Sequence, residues 1–266
     1  NGHSVGRILK ETVRRAMVEA RSKRLIFEAN EKVGYSGDMD DVFTNADRAC
    51  QDIYLRAFEE CFPDYGVIAE EDQTSKPSKN GLYFTVDPID GTKAYIRRQS
   101  HGISTMVALV DAETNHVLSA FIGDINTWEI FGYRPVSKKV HRITDLVASE
   151  VLDIDMTRTF DSSHALLRDP LDRYQDTTGP VVERFRNYEV MGSSIGTWAA
   201  RLWKKEVQAL VLPEGYETPW DSAPVIGICE ALGYRHYRFL GDRWIPFNPI
   251  VPTKPIRRDY DVIITH

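Results

Sequence analysis

The order of periodicities along the chain is the strongest constraint on what it can fold into. Val5, Ile8, Leu9, Val13, Ala16, Met17 and Ala20 fall on one stripe, which predicts an amphipathic helix over residues 5–30. A second helix is expected from Thr44, where Thr44 and Asp47 form a variant of the capping box. Its apolar face carries Ala46, Ala49, Cys50, Ile53, Tyr54, Ala57 and Phe58, and Pro63 ends it. The pattern then changes to short β-rich runs at 66–69, 82–86, 103–110, 116–122 and 128–133. Beyond a basic, polar stretch at 135–145, strands (188–191, 207–212, 234–239, 261–265) alternate with helices (195–204 and after Trp220). Helices followed by strands, then alternation, predict an α+β half over residues 1–137 and an α/β half over 138–266.

A chain of 266 residues is long enough to bury a substantial core, and 42% apolar with 27% charged residues is ordinary for a globular protein. The net charge of −6 excludes the basic footprint that nucleic-acid binding needs. It does not exclude a small anion, because a metal can supply positive charge locally. No apolar run approaches the ~18 residues of a membrane span, and no charged-then-apolar secretory pattern opens the chain. Asn1 to Ser4 carry no weight in this reading. The three cysteines include no C-x-x-C pair, and Cys50 and Cys229 sit in apolar helical patterns. Buried free thiols in a reducing cytoplasm are the expectation.

The most informative stretch is Asp87-Pro88-Ile89-Asp90-Gly91-Thr92, directly after an apolar strand. Two carboxylates three residues apart converge at a strand end if a turn follows, and Pro88 and Gly91 supply one. Gly91 and Thr92 then offer backbone N–H groups to an anion. Hard oxygen ligands of this kind suit Mg²⁺. Two further acidic elements stand out: Glu70-Glu71 at the end of a strand, and Asp221 at a helix start after Trp220. Singly, each has an ordinary explanation, since paired Glu is usually solvated and Asp at a helix start is usually a cap. Asp169-Pro170-Leu171-Asp172 repeats the D-P-x-D pattern without Gly-Thr and reads as a plain turn.

Together the motifs are more specific. Thr44-Asn45-Ala46-Asp47, Glu70-Glu71, the Asp87–Thr92 hexapeptide, Gly192-Ser193 and Trp220-Asp221 resemble the inositol monophosphatase family in order and spacing, over nearly the whole chain. The resemblance implies a layered αβαβα sandwich, two or three Mg²⁺ ions, a small phosphomonoester substrate, lithium inhibition and a homodimer. It implies Glu70, Asp87, the Ile89 carbonyl, Asp90 and Asp221 as metal ligands. Thr92 and Asp47, with Glu70, would orient and deprotonate the attacking water. Gly91, Thr92, Gly192, Ser193, Ser194 and Glu214 would contact substrate. Many members carry a lysine in the loop before the second helix, whereas the matching stretch here reads Tyr35-Ser36-Gly37-Asp38, followed by Asp40 and Asp41. Members process inositol phosphates, sugar phosphates, histidinol phosphate and nucleotide bisphosphates, and some act as regulatory binding proteins.

Two features lie outside that pattern. Gly192-Ser193-Ser194-Ile195-Gly196 matches G-x-S-x-G between a strand and a helix, with Asp221 and His236 following in the order of a serine-hydrolase triad. The chain after Ser194 is short for that fold, and a triad leaves the hexapeptide unexplained. Lys93, Arg97 and Arg98 follow the hexapeptide. On a helix Lys93 and Arg97 share a face, either solvated or binding a second phosphate or carboxylate of the substrate. The seven histidines show no zinc spacing.

Overall fold

A computed structural model describes residues 1–35, 37, 41–137, 139–144, 148–157 and 159–266. The first helix, α1 (Gly2–Lys23), starts earlier than expected, because the Asn1 side chain accepts hydrogen bonds from the His3 and Ser4 N–H groups. It also ends sooner. Leu25 and Ile26 are largely exposed, so the apolar stripe stops at Ala20, and Ala29–Lys32 instead forms β1, paired antiparallel with β2 (Asp41–Thr44). Cross-strand hydrogen bonds there replace the helical ones. In α2 (Asn45–Cys61) both hydrogen bonds of the capping box between Thr44 and Asp47 are present, and Pro63 follows its end.

The first half of the chain then supplies β3 (Gly66–Ala69), β4 (Ser75–Lys76), β5 (Leu82–Asp90), α3 (Thr92–Ile96), β6 (Ser104–Asp111), β7 (His116–Asp124) and β8 (Glu129–Tyr133). The sheet does not stop at residue 137, since β9 (His141–Ile143) and β10 (Ser149–Val151) extend it. Its order is β10-β9-β8-β7-β6-β5-β3-β4, antiparallel except where β3 runs parallel to β5. Next come β11 (His164–Leu167), α4 (Gly179–Val182), β12 (Asn187–Val190), α5 (Ile195–Trp203), β13 (Ala209–Leu212) and β14 (Gly215–Glu217). The chain finishes with α6 (Pro219–Leu232), β15 (Arg235–Leu240), β16 (Arg243–Phe247), β17 (Ile256–Arg258) and β18 (Val262–Thr265). The second sheet is ordered β12-β11-β13-β18-β15-β16, and β14 pairs with β17 in a separate ribbon.

Three cores stack these elements into layers. On one face of the first sheet, Leu9, Val13 and Met17 of α1 and Tyr54 and Phe58 of α2 meet Phe84, Val107 and Phe121. On its other face, Met106, Ile122 and Phe131 meet Trp198 and Trp203 of α5 and Ile228 and Cys229 of α6, which in turn meet Leu166, Leu210 and Ile264 of the second sheet. The far side of that sheet is covered by Tyr174, Val182 and Phe185. The result is an α-β-α-β-α sandwich. Helix α6 is apolar on nearly all sides because it is buried between two sheets. Cys50 and Cys229 are buried and unbridged, and no helix among the described residues is long and apolar enough to cross a membrane.

Gly227 marks how closely α6 approaches the first sheet. A Cβ there would lie 2.5 Å from Val117 Cγ1 and 2.8 Å from the Tyr133 hydroxyl. Gly227→Ala is therefore expected to cost about 1–3 kcal/mol through overpacking. Urea unfolding reads this directly, and an unchanged midpoint would show slack between helix and sheet.

Candidate active site

Residues three apart on a regular strand point to opposite faces, so Asp87 and Asp90 should not converge. They do because the β5–β6 register shifts: Asp87 pairs with Met106, yet Asp90 pairs with Ser104. The extra residue is a bulge, placed where Pro88 has no N–H to give to the ladder. Gly91 then turns the chain into α3 with φ +92, and a Cβ there would stand 2.3 Å from the Gly102 carbonyl oxygen. Only glycine fits.

Asp90 is held from both halves of the chain. Its Oδ2 accepts from Ser104 Oγ (2.9 Å), Ser194 Oγ (2.5 Å) and Gly196 N–H (2.8 Å), and its Oδ1 from Ile195 N–H (3.0 Å). The first turn of α5 thus points its free N–H groups at a carboxylate. Asp221 sits in the first turn of α6, whose cap is Thr218. Oxygens of Asp87, Asp90 and Asp221 all lie within 4.8 Å of one another. Asp87 Oδ1 is buried with no hydrogen-bond partner. Burial, then the charges of Glu70 and Asp221, push the Asp87 carboxyl well above its ordinary range. Burial, then Asp90 and Glu70, raise Asp221 to about 7. An orphaned buried oxygen among converging carboxylates is the donor set of a hard divalent cation.

Glu70 follows β3 and lines the same cavity, but its side chain turns to Lys32 Nζ at 2.8 Å. Lys32 also lies 3.2 Å from Glu71 and 3.6 Å from Asp41. Burial alone would lower the pKa of Lys32, yet Glu70 and Glu71 hold its ammonium above the ordinary lysine value. Burial and Glu70 raise Glu71 to about 7. The lysine sought at Tyr35–Asp38 is therefore supplied by β1 instead. The hairpin, not a loop position, brings it to the site, among Glu70, Glu71 and Asp41, and the sequence around Lys32 carries no signal of that contact. Ser36, Asp38 and Asp40 lie outside the described residues.

Asp47 is fully buried, and its Oδ2 accepts from Thr44 N–H and Oγ1 at 2.7 and 2.5 Å. Its Oδ1 lies 3.2 Å from Thr92 Oγ1, which is also 3.0 Å from the Ile89 carbonyl oxygen. Burial raises Asp47 to about 6 against the pull of Thr44.

Ser193, at φ +81, donates to the Gly102 carbonyl at 2.7 Å, and Gly192 beside it is exposed at the cavity. Ser194 is a correction. It is fully buried, caps α5 and bonds Asp90 and Ser104, so it faces the protein rather than a ligand. The triad fails for the same reason: among the described residues no histidine bonds Ser194, and His236 is a buried ring that burial and Arg258 push down to about 4. Glu214 is exposed, pairs with Arg257 at 3.4 Å, and lines a second cavity.

The two cavities, ≈ 600 and ≈ 290 Å³, meet at Asp90, Arg168 and Asp221. The larger holds the carboxylates with Gly91, Thr92 and Ser193. The smaller adds apolar walls from Leu212, Val225, Ile226 and Phe247. Arg168 was missed in the sequence, because it precedes the Asp169-Pro170 turn at the end of a strand too short to distinguish.

Converging buried carboxylates, and a buried acid beside a threonine, on a cavity roomy enough for a small anion are a donor set suited to metal-assisted hydrolysis. The model of the inositol monophosphatase family matches residues 3–256, and the chain belongs to that family, whose members are phosphatases. A histidinol-phosphatase of Chlorobaculum parvum is 24% identical over 193 residues, covering 71% of this chain and 70% of that protein. The solved extragenic suppressor protein suhB of Bartonella henselae superposes with a TM-score of 0.76 at 15% identity, over 99% of this chain and 94% of that one. An IMPase/NADP phosphatase complexed with Mg²⁺ and phosphate gives 0.72 at 14% identity, over 99% and 90%.

The raised carboxyls carry a pH signature. A folded pKa above the unfolded value contributes stability that is present at low pH and lost as pH rises through the folded pKa, near 7 for Asp221 and Glu71. His236, with its lowered pKa, acts oppositely below about 6.5. With a chelator present, Tm is expected to rise from pH 8 to pH 6.5, and Asp221→Asn should flatten that slope. A Tm that falls over this window would mean the acids are not compressed as described.

Proposed function

We propose that this protein hydrolyses a small phosphomonoester with Mg²⁺ held by Asp87, Asp90, Asp221 and Glu70 and by the Ile89 carbonyl. The observation that carries this reading is the convergence of three carboxylates around the unpartnered Asp87 Oδ1. Bound Mg²⁺ would supply Lewis-acid charge to the phosphoryl oxygens and acidify a water. The chain's own groups would do the rest. Thr92 Oγ1 accepts a proton from the attacking water as its own hydroxyl proton passes to Asp47, which is ionised above about 6 and so basic enough near neutrality. The N–H groups of Gly91 and Thr92 receive the phosphate, and Ser193 with Gly192 shapes the wall beside it. Glu214 stands in the second cavity, where hydroxyls of the leaving group would reach it. The relative named histidinol-phosphatase makes histidinol phosphate the first substrate to assay beside inositol 1-phosphate.

Asp90 is the wrong residue to mutate, because an asparagine NH2 in place of either oxygen would face a group that now donates to it. Asp221→Asn removes charge at nearly constant volume without disturbing the α6 cap. Phosphate release in Mg²⁺ is expected to fall by ~10³-fold or more in kcat/KM, equivalent to about 4 kcal/mol. Circular dichroism should report an intact fold. Activity within about tenfold of wild type, or activity that survives EDTA, would overturn the metal assignment.

A further inference from the structure

The larger cavity has walls of opposite charge. Glu70, Asp87, Asp90 and Asp221 line one part of it, whereas Lys93 of α3, Arg97 at its C-cap, His101 and Arg168 line another. A cation close to free carboxylates is ordinarily drawn into an ion pair, as Lys32 is. Among the described residues, Lys93, Arg97 and Arg168 make none. Arg98 adopts φ +55 at the end of α3 and does not line the cavity, so only the four-spaced pair faces inward.

Arg168 carries the argument further than the other two, whose exposure alone would fit a solvated face. Its backbone N–H is fixed by the Val211 carbonyl (2.9 Å) and the Tyr174 hydroxyl (3.0 Å), which sets the side chain at the junction of both cavities. Its Nη1 is buried and has no hydrogen-bond partner. A buried guanidinium nitrogen left unpaired is costly, and a planar fork of donors suits a carboxylate or phosphate. On the reading above, the scissile phosphate would be met by the metal held at the carboxylates and by the Gly91–Thr92 backbone. We infer that Arg168, with Lys93 and Arg97, grips a second anionic group, a carboxylate or phosphate, on the leaving side of the substrate. This specificity rests on the phosphatase reading above.

Two matched pairs separate the two anions. 2-Phosphoglycerate and glycerol 2-phosphate differ by a carboxylate, and propane-1,3-diyl bisphosphate and 3-hydroxypropyl phosphate differ by a phosphate. The anionic member of at least one pair should be favoured roughly 10- to 150-fold in kcat/KM, and that pair identifies the anion. The ratio should fall toward one in Arg168→Gln and in the double variant Lys93→Ala/Arg97→Ala, with Arg168→Lys between, each checked for folding by its Tm. A wild-type ratio near one for both pairs, or a ratio unchanged in both variants, overturns the inference. If no member of either pair is turned over in Mg²⁺, the phosphatase reading falls instead. Titration calorimetry on the same pairs then judges the grip alone: a tighter Kd for the anionic member supports it and equal Kd values overturn it.

Discussion

The hydrogen bonds between the Asp90 carboxylate and the first turn of α5 fix the geometry of everything around them. Asp90 ends a strand of the first sheet, whereas Ile195 and Gly196 open a helix sandwiched between the two sheets. Four donors on one carboxylate satisfy its oxygens in a buried place and lock the strand end to the helix. Asp87 inherits its direction through the β5 bulge, and Asp221 meets both from α6, which packs beside α5. Loosening that one junction would misplace all three carboxylates at once. Function and interlayer packing therefore share the same atoms.

The cost of this arrangement is electrostatic. Buried carboxylates this close cannot all be ionised without compensation, and the raised values at Asp87 and Asp221 record the conflict. Lys32 resolves part of it by placing one ammonium among Glu70, Glu71 and Asp41. The hairpin of β1 and β2 thus has an electrostatic reason to close over the site that its few apolar contacts do not provide. Glu70 lines the cavity while its carboxylate pairs with Lys32, so a cation there would compete with that ammonium.

Much of this was legible in the sequence because local chemistry and global fold agree. The Thr44–Asp47 capping box, the Pro63 stop and the 82–86 strand all appear where the patterns place them, since each is set by neighbours in sequence. The acidic cluster was legible because its residues lie in short punctuated motifs. What was not legible is whatever depends on partners distant in sequence. Residues 24–30 look helical until β2 offers β1 a ladder. Lys32 looks like a surface charge until that ladder carries it to Glu70. Ser194 looks like a ligand contact, or a nucleophile, until Asp90 claims its hydroxyl from 104 residues away.

The backbone at the carboxylate end of the larger cavity is constrained for a further reason. Gly91, Gly102 and Ser193 all have positive φ, at 92°, 79° and 81°, and they converge on one point. Ser193 tolerates a conformation that disfavours a side chain because its hydroxyl is tied to the Gly102 carbonyl. A Cβ at Gly102 would sit 2.7 Å from that hydroxyl, so neither loop can move without the other. The chemistry end of the cavity therefore has little room to adapt. On the proposed function, discrimination between leaving groups would come from the other end, where side chains rather than backbone form the walls: Leu212, Val225, Ile226 and Phe247 by shape, and Arg168 by charge. A fold of this kind separates what it does to a phosphate from which phosphate it accepts, and only the first is written in its motifs.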